Sequence, residues 1–231
     1  MSRAIAIITA RGGSKRIPRK NIKEFCGKPI LAYSIEAALE ARIFDEVMVS
    51  TDDEEIAEIA KQYGAKIPFL RSEKTANDYA TTADVLYEVL EKYKEAGKEF
   101  NFACCIYPTA PFVTSEKLRV AMKVLQETEA DSVMPVTAFS FPPMRGMYIR
   151  EEKVSYAFSE YSQKRSQDIE PMYHDCGQFY GIDVARFMVT GKLVTEDTRP
   201  IIVSELEVQD IDNEVDWKLA ELKYEMMKKG E

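Results

Sequence analysis

Five positive side chains stand within ten residues near the start of the chain, in the segment ARGGSKRIPRKN at residues 10–21. The five are Arg11, Lys15, Arg16, Arg19 and Lys20, in a protein whose formal net charge is −8. Because like charges crowded on one loop repel one another, this local reversal of sign favours an anionic ligand. Gly12 and Gly13 allow positive φ, so we expect their N–H groups and Ser14 to line a concave anion site. The segment predicts a phosphate-binding loop, and the alternative is a solvated basic loop.

A second group of chemically capable residues lies near the other end of the chain, in QDIDNEVDW at residues 209–217. In an extended segment residues i and i+2 point the same way, so Asp210 and Asp212 should converge while Ile211 packs into the core. Two carboxylates with no nearby cation make a hard oxygen site, suited to Mg²⁺ or Mn²⁺ held jointly with a ligand's phosphates. The alternative is that Asp212 or Asn213 caps the following helix and Asp210 is merely exposed.

The two groups together indicate a class of reaction. Arg11, Lys15 and Lys20 on one side and the Asp pair on the other are the parts that phosphoryl and nucleotidyl transfer require. Cations and a divalent metal share the charge of a nucleoside triphosphate, polarise the α-phosphorus and stabilise the departing pyrophosphate. The pattern therefore predicts chemistry on a nucleoside triphosphate.

The remaining reactive side chains give weaker signals. His174 is the only histidine of the chain, and it could be a general base, a hydrogen-bonded substrate contact or a buried imidazole. We favour one of the two non-catalytic roles. The cysteines form no C-x-x-C pair, so we expect them to be reduced and mostly packed rather than metal-bound. They are Cys26, Cys104, Cys105 and Cys176.

The basic loop is expected to connect a strand to a helix. An apolar, β-rich run at Ala4–Thr9 precedes it, and an amphipathic helix follows Pro29. Strand, basic glycine loop and helix form a phosphate-binding arrangement. It is not the familiar P-loop, which needs Gly-Lys-Ser/Thr at the mouth of the helix, and the chain contains no G-x-G-x-x-G.

The elements that follow continue the alternation of strand and helix. Further strands are expected at residues 47–49, 67–70, 102–107, 132–136, 178–182 and 201–203. This βα spacing predicts an α/β fold, with a doubly wound, mostly parallel sheet covered by helices on both faces. The last helix should bury an apolar face at helical spacing. That face consists of Val215, Leu219, Leu222 and Met226.

Two polar positions after the second strand carry alternative interpretations. Asp52 or Asp53 could cap the next helix, or could lie at the ligand-binding edge of the sheet, where the carboxyl ends of parallel strands meet. Farther along the chain, Thr114 or Ser115 should cap another helix.

The alternation stops at residues 139–176, which are aromatic, basic and rich in β-forming residues. A structureless loop of this length is unusual within a compact domain, so the segment should form a substructure of its own. Aromatic residues, Met and Arg are also enriched at subunit interfaces. We therefore expect this arm to mediate homodimerisation and to cross to a second subunit.

Length and charge limit the other possibilities. A chain of 231 residues favours one domain, here 1–231 with the arm at about 139–176 as an insertion. The net charge of −8 argues against a nucleic-acid or anionic-membrane partner. The apolar run near the start is too short for a membrane span or a signal peptide, so we expect a cytoplasmic protein.

Six landmarks in order along the chain closely resemble the sugar-acid cytidylyltransferases, the CMP-sialic acid synthetase family. They are ARGGSKRIPRKN, VSTDD at 49–53, Arg71, YPTAP at 107–111, RSQD at 165–168 and DID at 210–212. The resemblance implies a Rossmann-like nucleotidyltransferase fold with a β-rich dimerisation arm. It also implies transfer of CMP from CTP to the anomeric hydroxyl of a nonulosonic acid, with release of pyrophosphate and dependence on Mg²⁺.

The resemblance assigns roles by position. The triphosphate would be bound by Arg11, Gly12, Gly13, Ser14, Lys15, Lys20 and Asn21, of which Arg11 and Lys20 would also stabilise the pentacoordinate transition state. Ribose and cytosine would face Arg71 and the 77–82 loop with Asp78 and Thr82. Arg165, with Gln167 beside it, would bind the sugar carboxylate, and Asp210 and Asp212 would hold the metal.

Within that family the segment YHDCGQFY, at residues 173–180, most resembles the pseudaminic acid branch. There Tyr-His-Asp and Gly-Gln-Phe-Tyr replace the Glu-Asn-Gly of the sialic acid enzymes, and Tyr107 replaces their usual glutamine. The implied sugar contacts are Tyr107, Tyr173, His174, Gln178 and Tyr180. N-acetylneuraminate is the alternative substrate. A nucleotide-sugar glycosyltransferase with an Asp-x-Asp metal site and a non-catalytic anion- or RNA-binding module are the rival functions.

Overall fold

The computed structural model describes residues 3–229. Its strands are β1 Ala4–Thr9, β2 Glu24–Phe25, β3 Lys28–Pro29, β4 Glu46–Ser50, β5 Phe102–Ile106, β6 Ser132–Ala138, β7 Met147–Arg150, β8 Lys153–Tyr156, β9 Tyr173–Asp175, β10 Phe179–Asp183 and β11 Thr198–Ile202. Its α-helices are α1 Ile30–Ala41, α2 Glu54–Gln62, α3 Glu73–Ala76, α4 Thr82–Glu95, α5 Ser115–Thr128, α6 Val184–Thr190 and α7 Glu214–Lys229. No helix among these residues is long and apolar enough to cross a membrane.

A seven-stranded sheet forms the centre of the described chain, in the order β11-β6-β10-β5-β1-β4 with β9 paired to β6. β1 runs parallel to β4 and β5, and β11 runs parallel to β6. β10 is antiparallel to both of its neighbours, and β9 is antiparallel to β6. The sheet is therefore mixed but mostly parallel, which confirms the predicted fold class.

Helices cover both faces of this sheet. Ile8 of β1 packs with Leu31 of α1 and Leu118 of α5 on one face. Ile7, one residue earlier, packs with Leu86 of α4 and Phe187 of α6 on the other. Because successive strand residues point to opposite faces, a strand covered on both sides is apolar throughout, as β1 and β5 are.

The cysteines follow the same rule. Cys104 and Cys105 of β5 are fully buried on opposite faces of the sheet. Burial raises the pKa of Cys105 to about 12. Cys176 is buried as well, and Cys26 is half-buried, so the cysteines are mostly packed, as predicted.

A third apolar cluster ties the two ends of the chain together. Ile17 from the basic loop and Ile211 from the Asp-Ile-Asp segment are both buried in it, beside Phe25 and Trp217. The rings of Phe25 and Trp217 meet edge to face with centroids 5.6 Å apart. Burial of these groups draws the loop and the 210–212 segment against each other. The prediction that Ile211 packs into the core is confirmed.

The predicted strand at 67–70 does not form. An isolated parallel bridge joins Met48 to Lys66, one residue before the segment, and goes no further. Pro68 has no N–H and cannot continue the ladder along β4.

The apolar face predicted for the last helix is also wrong. The side chains expected to be buried are exposed, and they are Val215, Leu219, Leu222 and Met226. Trp217 and Ala220 on another face of α7 are buried instead, with Tyr224 packed beside them. The rings of Trp217 and Tyr224 bury more apolar area than the four aliphatic side chains would, so this aromatic face of α7 lies against the core.

Residues 139–176 form their own substructure, as predicted. β7 and β8 pair as an antiparallel hairpin, and its turn residues Glu151 and Glu152 have φ of 49° and 61°. Two consecutive residues with positive φ are typical of the two-residue turn whose backbone twist matches that of the two hairpin strands. The arm then rejoins the main sheet through β9.

Candidate active site

A cavity of about 480 Å³ opens at the carboxyl ends of β1 and β5, beside the basic loop. This edge is where open α/β sheets bind ligands. Nine of the predicted site residues line it: Arg11, Ser14, Lys15, Lys20, Asn21, Arg71, Asp78, Thr82 and Tyr107. Further lining residues that the sequence analysis did not assign include Thr9, Thr75 and Thr109, and the loop cation Arg16 and Asn77 of the 77–82 loop also line the cavity. Thr109 belongs to the YPTAP segment, which was the available signal for it.

The glycines of the loop do not have the predicted role. Neither Gly12 nor Gly13 has positive φ or lines the cavity. The N–H of Gly12 donates to Asp52 Oδ1 at 3.0 Å, so it faces a carboxylate. A Cβ on Gly12 would lie 2.7 Å from Asp53 Oδ2. Gly12 is therefore needed for the close approach of the loop to the residues after β4.

Two carboxylates and a buried amide hold the loop in shape. Asp53 caps α2 by accepting from the N–H of Ile56 at 3.0 Å, and it also pairs with Arg19. The hydrogen bond from Arg19 lowers the pKa of Asp53. Asn21 is buried, and its Nδ2 donates to the carbonyl of Arg11 at 2.8 Å. Asp53 thus both caps a helix and holds the loop. Asp52 holds the loop but caps no helix.

Lys20 is the loop cation that reaches the 210–212 segment. Its Nζ donates to the carbonyl of Ile211 at 2.6 Å. Burial lowers the pKa of Lys20, and the charges of Asp212 and Asp210 oppose that shift. The ammonium therefore lies at the wall of the cavity, within electrostatic reach of both carboxylates.

The Asp-x-Asp pair has cations beside it, contrary to the sequence-based interpretation. Arg16 Nη1 pairs with Asp212 Oδ2 at 2.6 Å, and Lys20 lies within electrostatic reach of both carboxylates. Tertiary packing brings in cations that are distant in sequence. The capping role falls to Asn213, whose Oδ1 accepts from the N–H of Val215 at 2.8 Å. Neither Asp210 nor Asp212 is used as a helix cap.

This donor set fits a hard divalent cation only in part. Asp210 and Asp212 supply carboxylate oxygens beside Lys20, and such oxygens suit Mg²⁺. Within residues 3–229, however, no group of three His, Cys, Asp or Glu side chains is placed to hold a metal. A metal at this pair would need its other ligands from phosphate and water.

Arg71 is buried at the end of β4. Its Nε donates to Ser50 Oγ at 3.1 Å and its Nη2 to the carbonyl of Ser50 at 2.6 Å. Burial lowers the pKa of this guanidinium, and the charge of Asp52 opposes the shift. Arg71 therefore supports the cavity wall as well as lining it.

Asp78 crosses the cavity to the basic loop. Its Oδ1 accepts from Arg11 Nη1 at 2.9 Å and its Oδ2 from Lys15 Nζ at 2.5 Å. The hydrogen bond from Lys15 lowers the pKa of Asp78. The carboxylate lies on two of the cations predicted to bind triphosphate, an arrangement that spacing along the sequence did not predict.

A chain of hydroxyl groups leads away from the cavity toward β9. Thr82 Oγ1 lies 3.2 Å from Tyr107 OH, and the ring of Tyr107 is 5.7 Å from that of Tyr180. Tyr180 OH donates to Asp175. Burial, together with this bond to Asp175, raises the pKa of Tyr180. Asp175 was not singled out from the sequence, although it shares one face of β9 with Tyr173.

The residues predicted to contact the sugar are mostly outside this cavity in the single chain. Arg165 is exposed and pairs with Asp168 at 2.8 Å, while Gln167 lines a separate cavity of about 410 Å³ within the arm. His174 packs against Phe139 with ring centroids 4.7 Å apart. Tyr173 is exposed.

Gln178 is buried behind the cavity wall. Its Nε2 donates to the carbonyl of Glu207 at 2.6 Å, and its Oε1 has no partner among the described residues. Of the predicted sugar contacts, only Tyr107 lines the cavity beside the basic loop.

Residues 5–176 match the family described as cytidylyltransferase. The chain belongs to this family. It is 38% identical over 223 residues to pseudaminic acid cytidylyltransferase of Campylobacter jejuni, covering 96% of each chain. It is 32% identical over 233 residues to CMP-N,N'-diacetyllegionaminic acid synthase of Legionella pneumophila, covering 95% of each. The suspected family is thus confirmed.

A solved structure supports the fold independently. CMP:2-keto-3-deoxy-manno-octonic acid synthetase complexed with CTP matches with a TM-score of 0.69 over 99% of this chain and 100% of its own. At 19% identity this likeness concerns the fold alone. It confirms the predicted nucleotidyltransferase architecture of the cytidylyltransferase chain.

Proposed function

We propose that this cytidylyltransferase transfers CMP from CTP to the anomeric hydroxyl of pseudaminic acid and releases pyrophosphate. The observation that carries the proposal is the cavity that collects Arg11, Lys15 and Lys20 at the ligand-binding edge of the sheet. The relatives of similar length act, by their names, on pseudaminic acid and N,N'-diacetyllegionaminic acid. The nonulosonic acids are therefore the substrate class, and the higher identity favours pseudaminic acid.

The residues of the cavity supply the groups that the reaction needs. The anomeric oxygen attacks the α-phosphorus in line, the bond to pyrophosphate breaks, and the proton passes to water. Arg11 and Lys15 hold the β- and γ-phosphates, and Lys20 stabilises the charge of the pentacoordinate state. Lys20 is preorganised for this by its bond to the carbonyl of Ile211. Arg71, Asn77 and Thr82 also line the cavity and would face ribose and cytosine.

Asp210 and Asp212 would hold Mg²⁺, or Mn²⁺ in its place, together with the phosphates. Such an ion neutralises phosphate charge and orients the leaving group. The support for this proposal is that both carboxylates are free of capping roles and lie beside Lys20.

The active unit would be a homodimer with sites shared between subunits. Arg165 is exposed on the arm and paired only locally, so it can meet the sugar carboxylate only if the arm reaches another chain or moves. The exposed apolar residues of the hairpin, including Met147, Ile149 and Val154, suit an interface. Because the reaction consumes CTP, we place the enzyme in the cytoplasm.

A screen for released pyrophosphate tests the proposal. Four nucleoside triphosphates are crossed with pseudaminic acid, N,N'-diacetyllegionaminic acid and N-acetylneuraminate. We expect pyrophosphate only with CTP and fastest release with pseudaminic acid. Release of a nucleoside diphosphate from a nucleotide-sugar would indicate a glycosyltransferase instead, and polyanion binding without turnover would indicate a binding module.

A further inference from the structure

The carboxylate of Asp78 forms ion pairs with the two cations that a polyphosphate would need. Arg11 Nη1 lies 2.9 Å from its Oδ1 and Lys15 Nζ lies 2.5 Å from its Oδ2. All three side chains line the same cavity. The Nη1 of Arg11 and the Nζ of Lys15 both point at Asp78. A polyphosphate bound at the basic loop therefore competes with Asp78 for these two donors.

The segment that carries Asp78 presents the carboxylate in a built turn. Asn77 Oδ1 accepts from the N–H groups of Tyr79 and Ala80 at 2.8 and 3.0 Å, which closes the turn around Asp78. Thr81 then begins α4 with a capping box shared with Asp84. Arg11 Nη1 also donates to the carbonyl of Asn77 at 3.3 Å. The contact thus involves both the side chain and the backbone of the turn.

Replacing Asp78 by a polyphosphate costs little free energy, because the three side chains of this contact are exposed to solvent. The side chains of Arg11, Lys15 and Asp78 are 39%, 78% and 46% exposed. Ion pairs at such exposure are weak, so a triphosphate with its larger charge can replace a single carboxylate. Pyrophosphate, with fewer contacts than CTP, competes with Asp78 less successfully.

We propose that Asp78 is an intramolecular competitor for the polyphosphate. It pairs with Arg11 and Lys15 in the free protein, leaves when CTP binds, and returns to those cations as pyrophosphate departs. Asp78 therefore lowers the affinity for the product and speeds its release. This inference rests on the proposed function, because it assumes that polyphosphate binds at the basic loop.

Calorimetric titration with inorganic pyrophosphate, without metal or sugar, tests the proposal on the full chain. Asp78→Asn should bind pyrophosphate about 10-fold more tightly than the wild type, since two weak ion pairs no longer compete. Asp197→Asn is the matched control. It also removes one negative charge, from an Asp that is 40% exposed and paired with Arg199 at 2.7 Å, and it should bind like the wild type.

A double-mutant cycle separates competition from a structural effect. In a Lys15→Ala background the gain from Asp78→Asn should shrink, because one of the competing pairs is already gone. An undiminished gain would overturn the inference. Equal affinity of the wild type and Asp78→Asn would overturn it too, while measurable binding to both would leave the proposed function standing. Absence of pyrophosphate binding to either protein would overturn the inference, while the proposed function is tested separately by the release of pyrophosphate from CTP in the presence of Mg²⁺.

Discussion

Lys20 is the residue on which the proposed chemistry depends most. Its ammonium is held at 2.6 Å from the carbonyl of Ile211 and beside two carboxylates, at the wall of the nucleotide cavity. A cation fixed before the substrate arrives needs no reorganisation when charge develops on the α-phosphate. This position distinguishes Lys20 from the exposed Lys15.

Lys20→Ala should therefore reduce kcat by about 100-fold or more and weaken CTP binding much less, as expected for an interaction made mainly in the transition state. Lys23→Ala is the matched control, because Lys23 pairs with Glu214 at 2.7 Å and does not line the cavity. Steady-state kinetics and CTP titration give both quantities. A loss of CTP affinity with kcat unchanged would assign Lys20 to binding alone.

Asp210→Asn and Asp212→Asn should each lower turnover by about 100-fold or more, since each removes a proposed metal ligand. The test is activity against Mg²⁺ concentration, with Mn²⁺ as a second ion. Glu214→Gln is the control, an exposed carboxylate nearby that pairs with Lys23. Full activity of either variant in chelator-treated buffer would contradict the proposed metal site.

At the scale of elements, the short helix α3 is tied to α4 by one carboxylate. Glu88 accepts from the N–H of Ser72 at 2.9 Å, from Ser72 Oγ at 2.7 Å and from Lys92 Nζ at 2.6 Å, and it also accepts from Thr75. Burial would raise the pKa of Glu88, but these hydrogen bonds lower it to about 2. The contact positions the turn that carries Asn77 and Asp78.

Stability should follow the ionisation of Glu88. Its pKa is lower in the folded state than in the unfolded chain, so its contribution is present above about pH 4.5 and is lost as pH falls toward 2. Glu88→Gln should lower the free energy of unfolding at pH 7 by up to about 3 kcal/mol, and less at lower pH. Urea unfolding at several pH values measures this.

Glu116→Gln, which loses only an exposed pair with Arg119, should change stability by less than about 0.5 kcal/mol. A pH-independent deficit in Glu88→Gln would show that packing, and not charge, accounts for the effect.

The elements show what the sequence could and could not predict. Strands with both faces covered, such as β1, were readable from their apolar runs, and the loop cations and the buried Ile211 were found from local pattern. The prediction of a strand at 67–70 was wrong because Pro68 cannot continue the ladder. The prediction of the buried face of α7 was wrong because the helix has two apolar faces, and the aromatic one packs against the core. The pairings of Asp52, Asp78 and Asp212 with the loop join residues far apart in sequence, which spacing alone does not reveal.

At the scale of the whole molecule, the arm separates the predicted sugar contacts from the nucleotide cavity. Arg165 and Gln167 lie on the arm and do not line that cavity. A second subunit that receives the arm would unite the two groups, and the apolar hairpin would be buried in the process.

Mixed dimers test this arrangement. Lys20→Ala chains and Arg165→Ala chains, each inactive alone, should regain part of the activity after subunit exchange, because some mixed dimers contain one undamaged shared site. Light scattering should give the mass of a dimer. A monomer, or no recovery despite demonstrated exchange, would contradict the shared site.

The proposed preference for pseudaminic acid depends on how the site recognises the polar groups of the sugar. A site that hydrogen-bonds particular polar groups can reject an analogue lacking them by several decades, whereas an apolar pocket discriminates modestly. The measurement is kcat/KM with CTP for pseudaminic acid and for N-acetylneuraminate on the same enzyme. We expect a ratio of at least about 100, or about 2.7 kcal/mol, which should shrink in His174→Ala. Comparable values for the two sugars would contradict the assignment and indicate the sialic acid branch.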